Sequence, residues 1–151
     1  MKDVDASLYK LPPQNLEAEQ SILGGILLDN QALNSVQDIL IAGDFYSEAH
    51  RKVFKAILEL SERNEPSDLI TLSNILKSKK QLDQVGGMAY LASLVDNVPS
   101  AANISHYGKI VKEKAILRKL IQTSTEIITQ SYEDRGDVEG FLDEAELAIF
   151  D

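Results

Sequence analysis

The chain has two histidines, His50 and His106. Histidine can act as an acid or base in catalysis and can bind a metal ion. Neither belongs to a catalytic or metal motif, since the sequence contains no His-Glu-x-x-His, no Gly-x-Ser-x-Gly and no cysteine. The carboxylate pairs fall on predicted exposed helix faces, where carboxylates usually contact solvent rather than form acid–base dyads. We interpret His50 as a boundary residue beside an inward helix face and His106 as a residue at the entrance to a long helix. The residues therefore predict no catalytic site and no metal site.

The adjacent glycines Gly24 and Gly25 could form a phosphate-binding loop, the second kind of chemistry that residue types suggest here. Such a loop follows a strand and is followed by Gly-Lys-Ser/Thr, and neither feature is recognisable around this pair. Apolar residues instead recur at helical spacing, at Ile22, Ile26 and Leu27. We therefore expect a helix whose glycines permit close packing against another helix.

The composition is that of an acidic folded protein. Its 151 residues include 24 Asp and Glu against 15 Lys and Arg, for a formal net charge of −9. Such a charge repels a phosphate backbone, so we expect little or no DNA binding by this chain alone. The apolar fraction of 44% is enough for a core, and the absence of cysteine excludes disulfides. The apolar runs are too short to span a membrane and no signal peptide is recognisable, which predicts a cytoplasmic protein with no membrane partner.

Turn and cap residues divide the first hundred residues into five short helices. Asn15, Ser47 and Asp68 are predicted N-caps of the first, third and fourth helices. The second helix is expected from about Gln31 to Leu40, and a glycine pair precedes the fifth helix. Between the second and third helices, the aromatic residues of Asp44–Tyr46 are expected to fill the core at a corner. Together these elements predict a compact helical globule.

The pattern changes after residue 100. A long helix is predicted from Ala102 to Tyr132, with Gly108 as a point where it could break, and Asp137 is expected to cap a last helix. Two antiparallel helices joined by a short turn make a hairpin, which exposes more apolar surface than it can cover, so a second hairpin is the natural cover. The long helix has a basic stretch and residues 132–151 are acidic, so opposite charges could orient facing helices. The alternative, two ordinary solvated faces, stays open.

Two long segments resemble the N-terminal domain of bacterial DnaB-type replicative DNA helicases. They are Leu11–Asn30, which reads LPPQNLEAEQSILGGILLDN, and Pro99–Ile121, which reads PSAANISHYGKIVKEKAILRKLI. The resemblance continues through Asp44–Tyr46 with His50 and covers nearly the whole chain in order. One departure is Gly108, where the family favours alanine. The fold class that this resemblance implies is all-α, a compact multi-helix globule followed by an extended antiparallel helical hairpin, in agreement with the pattern of the residues.

The resemblance also implies how such a domain works. Hairpins of this family pair two subunits, and three such dimers form a collar above the ring of ATPase domains, where the collar docks the C-terminal helicase-binding domain of primase. We therefore expect self-association, primase and a helicase loader as partners, and a place at the bacterial replication fork. Catalysis, ATP and Mg belong to a C-terminal domain, so this chain is expected to have no cofactor and no enzymatic activity. The expected segments are a flexible arm at 1–10, the globule at 11–100 and the hairpin at 101–151, truncated before a linker and the ATPase domain.

On the residues themselves, the resemblance places the dimer surface on the hairpin Ile104–Phe150. Nine apolar residues are expected to form its seam: Leu117, Leu120, Ile121, Ile127, Ile128, Phe141, Leu142, Ala145 and Ile149. Primase contacts are expected at exposed hairpin positions, namely Lys112, Arg118, Glu133, Asp134 and Arg135. The alternative functions are a stand-alone helical regulatory or ligand-binding module and weak electrostatic binding of single-stranded DNA by the basic stretch.

Overall fold

The computed structural model describes residues 11–98, 100–133 and 136–150. The chain is 74% helical, with seven α-helices and no strand in the described part. It forms two compact units: the globule Gln14–Ala115, and a second unit that contains residues 11–13 and 116–150. The predicted all-α class is confirmed. The predicted segments at 1–10, 11–100 and 101–151 stay predictions, and the boundary between the two units lies inside a helix.

The helices follow one another with short connections. In the globule they are α1 (Leu16–Leu28), α2 (Leu33–Val36), α3 (Glu48–Glu62), α4 (Leu69–Ser78) and α5 (Gly87–Asp96). They are followed by α6 (Ile104–Ser131), which contributes to both units, and by α7 (Val138–Phe150) in the second unit. Three short 3₁₀ turns lie at Asn30–Ala32, Ala42–Asp44 and Asp83–Val85.

The predicted N-caps are confirmed at all three positions. The side chain of Asn15 accepts a hydrogen bond from the backbone N–H of Ala18 at 2.9 Å. Ser47 Oγ accepts one from its third neighbour along the chain at 3.3 Å, and Asp68 Oδ1 accepts one from Thr71 at 2.8 Å. Each bond satisfies a backbone donor that the first turn of a helix leaves unpaired, so each fixes where its helix begins.

The predicted second helix, Gln31–Leu40, is wrong in its extent. The chain forms the 3₁₀ turn Asn30–Ala32 and then the single-turn helix α2 instead. Asp29 Oδ1 accepts from the backbone N–H of Gln31 at 3.0 Å, a local bond that competes with a regular helix start. The Asn30 side chain bonds the backbone of Ser67 in both directions, accepting at 2.7 Å and donating at 2.8 Å. A long-range clamp of this kind cannot be recognised from local sequence.

Helix α6 is continuous through Gly108, so the predicted point of breakage is not a break. Gly108 is buried where its helix passes Val36 of α2, and a Cβ there would lie 2.9 Å from the Cγ1 of that valine. In the core, Phe45 is fully buried beside Phe54, with ring centroids 4.9 Å apart. The predicted core role of the aromatics is thus confirmed for Phe45, whereas Tyr46 is half-buried.

Helices α1 and α5 cross at the glycine pair, as predicted from the sequence. A Cβ at Gly24 would lie 2.1 Å from the carbonyl oxygen of Leu94 and 2.5 Å from Cγ2 of Val98. A Cβ at Gly25 would meet its nearest atom, Cδ1 of Ile104, at an ordinary contact distance of 3.5 Å. Gly24 alone is therefore required by the crossing.

We expect Gly24→Ala to lower the free energy of unfolding by about 3 kcal/mol, because the new methyl group overlaps a backbone carbonyl that no rotamer change can move. Gly25→Ala is the matched control in the next position. It should leave the stability unchanged or raise it by up to about 1 kcal/mol, since alanine is the better helix former. Urea unfolding followed by circular dichroism measures both. Equal midpoints for the two variants would contradict the assigned crossing.

Candidate interaction surface on the hairpin

Helix α7 and the second half of α6 form an antiparallel hairpin. The last residues of α7, 148–150, line a groove of about 410 Å³ together with Ile116 and Leu120 of α6. The first residue of α7, Val138, lines a second groove of about 270 Å³ with Ser131 at the other end of α6. The end of α7 thus lies beside the middle of α6, and the start of α7 lies beside the end of α6. The two helices therefore run in opposite directions. The antiparallel hairpin that the sequence predicts is therefore present.

The hairpin has no buried residue among those described from 116 to 150. Eleven of its large apolar side chains are instead between 44% exposed, at Leu117, and 89% exposed, at Tyr132. These exposed residues are Ile116, Leu117, Leu120, Ile121, Ile128, Tyr132, Val138, Leu142, Leu147, Ile149 and Phe150, and we call them the apolar stripe. Contiguous exposed apolar surface of this kind marks interaction sites in soluble proteins.

The nine predicted seam residues divide into two groups in the structure. Those that are exposed, and so available to a partner, are Leu117, Leu120, Ile121, Ile128, Leu142 and Ile149. Ile127, Phe141 and Ala145 are half-buried. The sequence alone does not show which seam residues are exposed and which are half-buried. The predicted seam also omits the exposed residues Ile116, Leu147 and Phe150, which helical spacing on the same two helices would have suggested. The assignment of the seam as a dimer surface stays a prediction.

The predicted primase contacts differ in their surroundings. Lys112 lies in the globule, where its Nζ pairs with Asp44 Oδ2 at 3.2 Å. Arg118 Nη1 donates to the carbonyl oxygen of Pro13 at 2.7 Å. Glu133 is exposed at the hairpin turn, whereas Asp134 and Arg135 lie outside the described residues. Of the described candidates, Glu133 is thus the exposed position at the tip.

The globule contains a buried acid–imidazole pair that was not predicted from the sequence. Glu19 and His50 are only 1% and 2% exposed, so the interpretation of His50 as a boundary residue is wrong, and Glu19 is an exception to the expectation that the carboxylates lie on exposed faces. His50 Nδ1 lies 2.8 Å from Glu19 Oε1, and its Nε2 lies 2.6 Å from the Tyr90 hydroxyl. Glu19 also accepts backbone N–H bonds from Tyr46 at 2.7 Å and from Ser47 at 3.3 Å.

Both oxygens of Glu19, both ring nitrogens of His50 and the Tyr90 hydroxyl have partners. A neutral His50 fits, with Nδ1–H donating to Glu19 and Nε2 accepting from the Tyr90 hydroxyl, an assignment inferred from the hydrogen bonds. The Tyr90 oxygen in turn accepts from Gln20 Nε2 at 3.3 Å. The network therefore joins α1, α3 and α5 with the chain segment that leads into α3. It fits a structural clamp, because no member is left over for a substrate.

Other chemistry is not assembled in the described part of the chain. No group of three or more His, Cys, Asp and Glu side chains that could hold a metal ion lies among the described residues. His106 is exposed near the start of α6, where the sequence placed it. Within the same residues, no helix is long and apolar enough to cross a membrane. The apolar stripe is thus the feature with the clearest capacity for function.

Comparison with known proteins identifies relatives of the same kind. Residues 11–113 match the family model described as the DnaB-like helicase N terminal domain. The Replicative DNA helicase DnaB of Geobacillus stearothermophilus is 44% identical over 142 residues, which are 94% of this chain and 31% of the relative. The Replicative DNA helicase DnaC of Bacillus subtilis is 46% identical with the same coverage. The chain therefore spans about a third of the length of these relatives.

Solved structures agree with the sequence relatives. The N-terminal domain of DnaB helicase from Mycobacterium tuberculosis superposes with a TM-score of 0.88 at 42% identity, covering 93% of this chain and 99% of that one. A DnaB-like replicative helicase superposes with a TM-score of 0.77 at 22% identity, covering 89% of this chain and 30% of that one. The second likeness concerns the fold alone.

We expect Glu19→Gln to lower the free energy of unfolding by about 3 kcal/mol, because the amide removes the buried charge that accepts three hydrogen bonds and turns a donor toward other donors. Glu17→Gln, on the exposed side of the same helix, is the control and should change stability by no more than about 0.5 kcal/mol. Denaturant unfolding measures both. A Glu19→Gln protein as stable as the control would show that the clamp contributes nothing.

Proposed function

Because the chain belongs to the family of DnaB-like helicase N-terminal domains, we propose that it is the assembly and docking domain of a hexameric replicative DNA helicase. The observation that carries the proposal is the apolar stripe, whose residues lie along both helices of the hairpin and are each at least 44% exposed. The parent protein is ATP-dependent in this proposal, with ATP and Mg bound by a C-terminal domain outside this chain. The domain itself performs no catalysis, and it acts at the replication fork in the bacterial cytoplasm.

The first partner in this proposal is a second copy of the chain. Fully burying a leucine or isoleucine side chain contributes roughly 1.5–3 kcal/mol, so a few residues of the stripe are enough to hold two hairpins together. A two-fold arrangement uses the same patch on both copies, and each exposed residue therefore contributes twice. Leu120 and Ile128 are 45% and 58% exposed. They lie eight residues apart on α6, a spacing of about two turns that places them along one side of the helix. Three such dimers would complete the collar of a hexamer.

We expect the mass of the chain in light scattering to rise from one copy towards two or six as its concentration rises from micromolar to near millimolar. The double variant Leu120→Asp/Ile128→Asp should raise the dissociation constant about 100-fold or more, because four charges would enter one apolar interface. The thermal transition of the globule Gln14–Ala115 should persist in this variant.

The matched control is Gln122→Asp/Gln130→Asp, which places the same two charges at the same spacing on α6 at exposed polar positions. This variant should weaken association much less than Leu120→Asp/Ile128→Asp does, because its charges stay at exposed polar positions and only lower the stability of α6 beside Glu126. Equal weakening by both double variants would show that added charge, rather than loss of the apolar stripe, disrupts assembly. Unchanged mass in the Leu120→Asp/Ile128→Asp variant would contradict the assigned seam.

The second proposed partner is the C-terminal helicase-binding domain of primase, and a helicase loader is a third. One similar structure is of a DnaB-like replicative helicase and its interactions with primase, and that interaction belongs to that protein. In this chain, Lys112 and Arg118 already have intramolecular partners in Asp44 and the carbonyl oxygen of Pro13. We therefore centre the primase contact on the hairpin tip at Glu133, together with the predicted positions Asp134 and Arg135. DNA is not a proposed partner of the domain alone, because its net charge is −9.

We expect Glu133→Lys to weaken binding of the primase helicase-binding domain from the same organism by about fivefold, the upper range for one exposed charge. Titration calorimetry with the two purified proteins measures the affinity. Glu62→Lys makes the same charge reversal at an exposed position of α3 in the globule and should bind as the parent chain does. If Glu62→Lys weakened binding as strongly as Glu133→Lys, the contact would depend on net charge and not on the tip.

A further inference from the structure

The two units of the chain differ in what stabilises them. The globule has a core of fully buried side chains that includes Phe54, Ile57 and Leu72. The described residues of 116–150 include none that is buried, and α7 has no buried residue over its 13 positions. Since most of the stability of a helix in a protein comes from packing its apolar face, the hairpin lacks the main source of helix stability.

The local sequence of α6 does not compensate for the missing core. Residues 121–131 read IQTSTEIITQS, in which six of the eleven are β-branched and none is alanine. β-Branched side chains lose rotamer freedom in a helix and so lower its propensity. Thr125 and Thr129 also turn their hydroxyls onto the carbonyl oxygens four residues earlier, at 2.8 Å and 2.9 Å, a bond that slightly destabilises helices.

The two helices of the hairpin should differ in how easily they open. The first half of α6 is anchored in the globule by buried Ile104 and Val111 and by the bridge between Lys112 and Asp44. Residues 116–131 therefore extend a helix that is already nucleated. Helix α7 begins anew after the turn, capped by the bond from Gly140 N–H to Asp137 Oδ1 at 3.0 Å, and an isolated helix of 13 residues is marginal in water.

We propose that residues 116–150 fold fully only when a second copy of the chain covers the apolar stripe, so that folding of the hairpin and self-association are one coupled process. This inference rests on the proposed self-association and adds that folding of the hairpin limits the strength of that association. In the dilute monomer the globule stays folded, α7 opens first and the second half of α6 frays towards Ala115. Since a binding-competent hairpin is then only fractionally populated and both copies must be competent, the apparent association constant is lower than that of preformed hairpins by the square of that fraction.

Hydrogen exchange measured by mass spectrometry across the same concentration series tests the coupling in the full chain. Amides of 116–150 should be weakly protected in the monomer and gain protection in step with the light-scattering mass, whereas amides of the globule should stay protected throughout. A mass that rises while 116–150 is already protected in the monomer would overturn the coupling and leave the proposed self-association intact. A mass that stays at one chain would contradict the self-association and the coupling with it.

A helix-stabilising variant gives a second test that leaves the apolar stripe unchanged. Thr125→Ala/Thr129→Ala replaces two exposed, β-branched residues by the best helix former, which should favour the folded hairpin about threefold per substitution. Because two hairpins fold in each dimer, association should tighten by up to about 100-fold. Ser73→Ala in α4 is the control, because it removes a similar hydroxyl bond, from Ser73 Oγ to Ile70 O, within the globule. An unchanged dissociation constant for the threonine variant would overturn the coupling.

Discussion

The organisation of the globule depends on the hydrogen bonds that the carboxylate of Glu19 accepts. This carboxylate is almost fully buried, and it accepts hydrogen bonds from the backbone of Tyr46 and Ser47 and from His50. One charge on α1 thus fixes the segment that brings Phe45 into the core and starts α3. A buried charge is tolerated only where its bonds are complete, so this network also disfavours packings in which any partner is displaced.

The chain combines a self-sufficient unit with a dependent one. The globule has a core of buried apolar residues, whereas none of the described residues of the hairpin is buried and most of its large apolar side chains are exposed. This division suits the proposed role of the domain, because a surface that assembles copies would respond to concentration while the globule stays folded. Helix α6 contributes to both units and supplies one covalent link between them, and the peptide bond from Pro13 to Gln14 is another.

Much of this arrangement could be predicted from local residues, and the remainder depends on contacts between distant ones. Caps at Asn15, Ser47 and Asp68 were predictable because the bonding partner lies three residues away. The clamp was not, since His50 lies 31 residues from Glu19 and 40 from Tyr90. Helical spacing indicated which hairpin residues are apolar, but their division into half-buried and exposed positions depends on how the two helices pack.

The crossing at Gly24 limits how this sequence can change during evolution. An overlap between two side chains can be relieved by a smaller residue at the partner position. Here the partner is the carbonyl oxygen of Leu94, an atom that every amino acid carries. No substitution at position 94 can therefore compensate for a larger residue at Gly24, and a lineage that lost this glycine would have to shift α5 as a whole.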